Sequence, residues 1–196
     1  MCSGVDALIA ASIQESIKVK QTVLQDKHLL GQIAEVIKEF VSALSHGHKI
    51  LLFGNGGSAA DAQHIAAEFV GRFQMERKAL PALALSVNTS ALTGIGNDYA
   101  YENVFSRQIE ALGSTGDVAV GFSTSGKSPN VMKALAAARA KGLVTVALTG
   151  KFGDMMQPIS THCLCVPSDE TPRIQESHIL IGHIIAQITE KELFSK

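Results

Sequence analysis

The chain has 196 residues, of which 46% are apolar and 18% charged, and its formal net charge is −1. That size and balance suit one globular domain with a sizeable core and exclude a disordered chain. They also exclude a broad basic surface that would bind nucleic acid through its phosphates, and no run of ~18 apolar residues is present to span a membrane.

The first segment, MCSGVDALIA, has no basic stretch followed by an apolar one, so no secretory signal is expected and a cytoplasmic location is. The chain up to residue 45 reads as helix: Ile9, Ile13 and Ile17, then Ile33, Val36, Ile37, Phe40, Val41 and Leu44 recur at helical spacing. Asp26 is placed to cap the second helix, and Gly47 follows its end. The run Lys49–Phe53 is a first strand, followed by Gly54-Asn55-Gly56-Gly57 and a helix over Ala59–Phe73. Ala82–Val87 is a second strand, and Thr89–Leu112 should hold a short helix, a glycine-rich turn and a longer helix. Asp117–Phe122, Val144–Leu148 and Cys163–Val166 are strands three to five, with helices over Val131–Ala140 and Ile174–Phe194.

Short apolar runs alternating with helices predict an α/β fold: a doubly wound, five-stranded parallel sheet covered on both faces. Residues 1–47 form a helical extension whose apolar stripes need a partner, which assigns it to self-association. Residues 48–196 hold the α/β domain, and the two read as one structural unit. In the strand order 2-1-3-4-5, strands one and three meet at the switch point, where ligands bind beyond the carboxyl ends of the strands.

Two loops of small residues would face that crevice. Gly54-Asn55-Gly56-Gly57-Ser58 leads from strand one into a helix, where glycines allow close backbone approach and free N–H groups favour an anion. Ser123-Thr124-Ser125-Gly126-Lys127-Ser128 places four hydroxyls after strand three, enough to satisfy a phosphomonoester without a metal. Each loop can also be a plain strand-to-helix connection with a serine cap. Gly121 through Ser128 also spells the phosphate-binding pattern G-x-x-x-x-G-K-[ST] of nucleotide hydrolases. Three features oppose that reading. Gly121 lies inside an apolar run, the intervening residues lack glycine, and no later strand ends in a clear acidic metal ligand.

Proton-transfer chemistry has candidates on two helices. His64 and Glu68, four apart, share a helix face, although Glu68 could instead pair with Arg72 on a solvated surface. Gln175 and His183 lie ~12 Å apart along the last helix with an angular offset of only ~80°, so both can point one way. Glu suits a base and His an acid near neutral pH. Two imidazoles and a carboxylate also suit zinc. His183 can equally be a satisfied core or interface residue, and His178 reads as structural. Asp61 and Arg72 are supporting candidates, and Lys127 either aids phosphate binding or is solvated. Cys163 and Cys165 share one strand face without C-x-x-C spacing, and three cysteines argue against a disulfide framework, so reduced buried thiols are expected.

The combination of Gly54 through His64, Ile95-Gly-Asn-Asp98, Ser123 through Asn130, and Thr171-Pro-Arg-Ile-Gln175 through His183 resembles the phosphoheptose isomerase family of the sugar-isomerase (SIS) domain superfamily, over essentially the whole chain. The resemblance implies an SIS-type sheet and a homotetramer with active sites near subunit boundaries. It implies substrate contacts from Asn55, Gly56, Gly57 and adjacent Ser58, from Asn97 and Asp98, and from Ser123, Thr124, Ser125 and Ser128. It implies a zinc site of His64, Glu68, Gln175 and His183, one ion per subunit. Glu68 and His183 become the acid/base pair, with Glu68 and Gln175 also touching substrate. The implied activity isomerises D-sedoheptulose 7-phosphate to D-glycero-D-manno-heptose 7-phosphate through an ene-diol, the first step of ADP-heptose and lipopolysaccharide core synthesis. The nearest rival is a non-enzymatic SIS-type tetramer that binds the replication initiator DnaA. The complete acid/base set favours the enzyme.

Overall fold

The computed structural model describes residues 2–195. Two N-terminal helices, α1 (Cys2–Gln25) and α2 (Lys27–Ser45), are separated by Asp26, whose side chain accepts the Leu29 N–H at 3.0 Å and caps α2. Five strands follow: β1 (Ile50–Gly54), β2 (Ala82–Ala84), β3 (Val118–Ser123), β4 (Val144–Thr149) and β5 (His162–Cys165). Between and after them run α3 (Gly57–Val70), α4 (Thr89–Tyr99), α5 (Ser106–Leu112), α6 (Pro129–Ala140) and α7 (Thr171–Phe194). The sheet is parallel throughout, in the order β2-β1-β3-β4-β5.

Alternate strand residues fill two core layers, as the period-two pleat requires. Ile50, Leu52, Val118, Val120, Phe122, Val146, Leu148 and Leu164 pack under α2, α3 and α7. Leu51, Phe53, Ala119 and Ala147 pack under α5 and α6 on the other face. Each fully buried Leu, Ile or Phe contributes roughly 1.5–3 kcal/mol of transfer free energy. Gly121 sits in β3 opposite Ala147, so the letters matching a phosphate-binding loop begin in a strand. A Cβ there would lie 2.8 Å from Val131 Cγ1, which explains a glycine beneath α6.

The segment between β2 and β3 differs from expectation. Asn88 caps α4 by accepting the Ala91 N–H, and the helix runs through Gly94 and Gly96 rather than breaking there. The chain turns instead at Ala100, whose φ of 76° is the left-handed conformation, and a short 3-10 turn over Tyr101–Asn103 leads into a seven-residue α5. β2 is shorter than predicted because the chain turns after Leu85, whose N–H still reaches Leu52 O. α3 stops at Val70 rather than Phe73, since Arg77 takes the carbonyls of Phe69 and Gly71.

Candidate active site at the α3–α7 crossing

The loop after β1 is shaped by its glycines. Gly56 has φ 55°, and a Cβ on Gly57 would lie 2.5 Å from Nε2 of Gln175. The Gln175 amide on α7 is therefore seated against the backbone at the start of α3. Asn55 and Asn130 exchange amide hydrogen bonds (2.9 and 2.8 Å) and so tie the loops after β1 and β3 together. Tyr101 donates its hydroxyl to Asn55 Oδ1 at 3.2 Å. Asn55, Tyr101, Glu102, Ser128, Pro129 and Asn130 line a cavity of about 280 Å³ at this junction.

The hydroxyl-rich loop is braced internally. Ser123 and Ser128 share a 2.8 Å hydrogen bond, and the Lys127 N–H reaches Ser125 Oγ at 3.2 Å. Thr124 O accepts the Gly150 N–H, which joins this loop to the one after β4. Ser123 is buried and Ser125 exposed. The exposed Ser125 hydroxyl is thus presented to solvent by a fixed backbone.

A third group lies where α3 crosses α7. Gly182 makes the crossing close: a Cβ there would meet the Ile65 side chain at 2.7 Å. The neighbouring residues, His64 and His183, consequently touch, with Nε2 atoms 3.0 Å apart. Glu68 Oε1 is 3.0 Å from His64 Nε2 and 3.8 Å from His183 Nε2. Nitrogen and oxygen donors about 2.0–2.2 Å from a tetrahedral metal lie roughly 3.3–3.6 Å from one another. The three atoms, all within 4.8 Å of each other, therefore fit around one divalent ion with little movement.

The cluster is held from behind by a saturated ion pair. Glu190 of α7 accepts the backbone N–H groups of Phe73, Gln74 and Met75 and the Arg77 Nε–H. Burial would raise its carboxyl pKa, but these donors together hold it below the usual range. Arg77 also donates to the carbonyls of Glu68, Phe69, Gly71 and Lys78. This clamp fixes the end of α3 and seats the Phe73 ring, which stacks on His183 at 5.5 Å with an interplanar angle of 10°.

Two further ionisable groups contrast with the cluster. Asp61, one turn before His64, has a buried Oδ2 with no hydrogen-bond partner. Burial pushes its pKa up to about 6, against the pull of His64. His178 is fully buried, meets Thr149 O at 3.2 Å through Nε2, and is held neutral by burial with its pKa lowered to about 4.

The structure thus brings His64, Glu68 and His183 to one point. It seats Gln175 on Gly57, and joins Asn55 and Ser128 around one cavity. It leaves Asn97 and Asp98 exposed on α4, bonded to each other at 2.8 Å, with no hydrogen bond to another of these residues among those described. Ser58 is buried behind the first loop. Arg72 pairs with Glu76 at 3.7 Å rather than with Glu68, because Glu68 faces the histidines. Sequence reasoning missed Tyr101, Arg77, Glu190 and Phe73 as parts of this region. Arg77 and Glu190 are 113 residues apart, and no local pattern links them.

Comparison with known proteins identifies the family. The SIS domain family model matches residues 13–150. A phosphoheptose isomerase of Sulfurimonas denitrificans is 54% identical over 186 residues, covering 95% of each chain. The solved phosphoheptose isomerase of Neisseria gonorrhoeae is 42% identical with a TM-score of 0.89, over 95% of this chain and 99% of that one. That of Francisella tularensis is 35% identical with a TM-score of 0.90, over 96% and 98%. The chain belongs to the SIS domain family and, within it, to the phosphoheptose isomerases.

Proposed function

We propose that the protein converts D-sedoheptulose 7-phosphate to D-glycero-D-manno-heptose 7-phosphate. The observation that carries this reading is the convergence of Glu68, His64 and His183 where α7 crosses α3, the helix that leads out of the Asn55 loop, which is itself tied to the loop after β3. Ser123, Thr124, Ser125 and Ser128 hold the phosphate through hydroxyls and backbone N–H groups. Asn55, Gly56, Gly57, Ser58, Asn97, Asp98 and Gln175 contact the sugar. Glu68 removes a proton from C1 of the open-chain ketose, and an ene-diol(ate) forms. His183 delivers a proton to C2. The O1 hydroxyl proton leaves as the aldehyde forms while O2 gains one, so protons balance. The general-base step contributes typically 10²–10⁴-fold.

His64, Glu68 and His183 would hold one zinc per subunit, with Gln175, two turns earlier on α7, as the fourth ligand of this reading. A bound zinc supplies Lewis acidity toward the substrate's oxygens. Glu68 Oε1 faces the histidines, which leaves its second oxygen to accept the proton. The reading extends to a homotetramer in the cytoplasm that supplies ADP-heptose for lipopolysaccharide. Exposed Val5, Leu8, Ile9, Ile13 and Ile17 on α1 support self-association through residues 1–47. No helix among the described residues is long and apolar enough to cross a membrane.

The test is to incubate the purified protein with sedoheptulose 7-phosphate and assay for the aldose. Conversion is expected. No conversion, with or without added zinc, would overturn the proposal and favour a DnaA-binding regulator.

A further inference from the structure

Cys163 and Cys165 take no part in the chemistry above, yet their arrangement is specific. Both lie on β5 and point to one face, with Sγ atoms 3.7 Å apart. Cys163 is buried and Cys165 is partly open to solvent. The contact with Cys163 and a hydrogen bond with Gln157 hold the Cys165 thiol below its usual range against burial and Asp154. Cys163 is pushed up by the same contact and by burial. Thiolate character combined with access is what makes a cysteine reactive.

The pair is also linked to the hydroxyl loop through its neighbours. Gly153 lies against both sulfurs: a Cβ there would be 2.5 Å from Cys165 Sγ and 3.3 Å from Cys163 Sγ. One residue earlier, the Phe152 carbonyl leaves no room for a Cβ on Gly126, at the centre of the hydroxyl loop. Thr149 belongs to the same packing, with its Cγ2 beside Gly153 and its Oγ1 beside Gly126. A chain of close contacts therefore runs from Cys165 through Gly153 and Phe152 to Gly126.

We propose that Cys165 and Cys163 form a thiol–disulfide exchange site for low-molecular-weight disulfides, and that reaction there displaces the hydroxyl loop. The second clause rests on the reading that this loop holds the substrate phosphate. Cys165 thiolate attacks one sulfur of R–S–S–R, forming a mixed disulfide and releasing RS⁻. Cys163 then loses its proton and its sulfur attacks Cys165 Sγ, which expels the second RS⁻. Two protein thiols are oxidised, one small disulfide is reduced to two thiols, and the two protons lost by the protein are taken up by them. Two strand residues separate Cα atoms by about 6.4–6.8 Å, at the upper limit of what a disulfide spans. Closing the bridge bends β5 and draws Cys165 from its seat against Gly153. A strained bridge of this kind is readily reduced, so the modification reverses in a reducing thiol pool.

The experiment uses the full chain in a Cys2→Ser background, treated with oxidised glutathione and read by intact mass, thiol alkylation and steady-state kinetics. Cys163 and Cys165 should both lose alkylation without a retained adduct. Cys163→Ser should stop at a glutathione adduct on Cys165, and Cys165→Ser should not react. KM for the sugar phosphate should rise roughly tenfold with kcat little changed, within the ~100-fold that a 1 Å misplacement can cost. Dithiothreitol should restore it. Equal reaction of Cys165→Ser, or inert thiols in the native protein, would overturn the exchange site. Clean bridge formation with KM unchanged would overturn the link to the loop. The mass and alkylation readouts do not depend on the assigned substrate, so failure of the site is distinguishable from failure of the functional reading.

Discussion

Two carboxylates on the crossing helices are handled in opposite ways. Glu190 is buried and receives three backbone N–H groups and a guanidinium. Glu68, with a side chain 20% exposed, faces only two imidazoles that are themselves partly open. The first is saturated by its own chain and holds structure. The second has its carboxylate beside two imidazole nitrogens and accepts no backbone N–H among the described residues. Arg77 joins the two by bonding both Glu190 and the Glu68 carbonyl, so the rigid cluster orients the reactive one.

The contrast can be broken in several places. Glu68→Gln should cut isomerase turnover by about 10²–10⁴-fold, the range for a lost general base, with thermal stability near wild type. Solvent-label exchange at C1 should vanish with it, and unchanged turnover would remove Glu68 as the base. Arg77→Ala should act on the opposite property and cost about 3–5 kcal/mol in urea unfolding, because Glu190 is left buried without its partner. A loss below ~1 kcal/mol would mean that the backbone donors alone suffice. Between these extremes lies Phe73→Leu, which keeps the clamp but removes the ring stacked on His183. Zinc affinity, measured by chelator competition, should fall about 10-fold or more, as when other supports of a metal ligand are lost.

A further effect concerns pH. His178 has its pKa lowered to about 4, so the stability from its neutral burial is complete above pH 6.5 and is lost as pH falls toward 4. Asp61 has its pKa raised to about 6, so its contribution runs the other way and is lost as pH rises from 3.8 to 6. The two oppose each other across pH 4–6. Asp61→Asn should unmask the histidine, and the metal-free variant should gain about 2 kcal/mol between pH 4.5 and 6 relative to wild type. Parallel pH profiles for the two proteins would refute this.

What the chain reveals on its face follows from the range of the interactions. The five strands and their flanking helices were legible because apolar runs and helical spacing are local patterns. His64 and Glu68 were legible as an i,i+4 pair, and Gln175 and His183 as neighbours on one helix face. The crossing that brings the two helices together depends on Gly182 fitting over Ile65, and no sequence periodicity marks it. The clamp from Arg77 to Glu190 is invisible for the same reason. The glycines at 94 and 96 misled in the other direction: they suggested a break, while the Asn88 cap and the turn at Ala100 define a continuous helix. Asn97 and Asp98 stand out as a motif, and in the structure they are exposed and bonded to each other.

The crossing at Gly182 also sets when the cluster is completed during synthesis. Chains emerge from the ribosome N-terminus first, so α3 is exposed long before α7. Until α7 docks, His64 and Glu68 have no His183 beside them and Gly57 has no glutamine against it. A nascent chain can therefore build strands β1 to β5 and still lack the three-residue cluster, which is assembled only when the last helix docks.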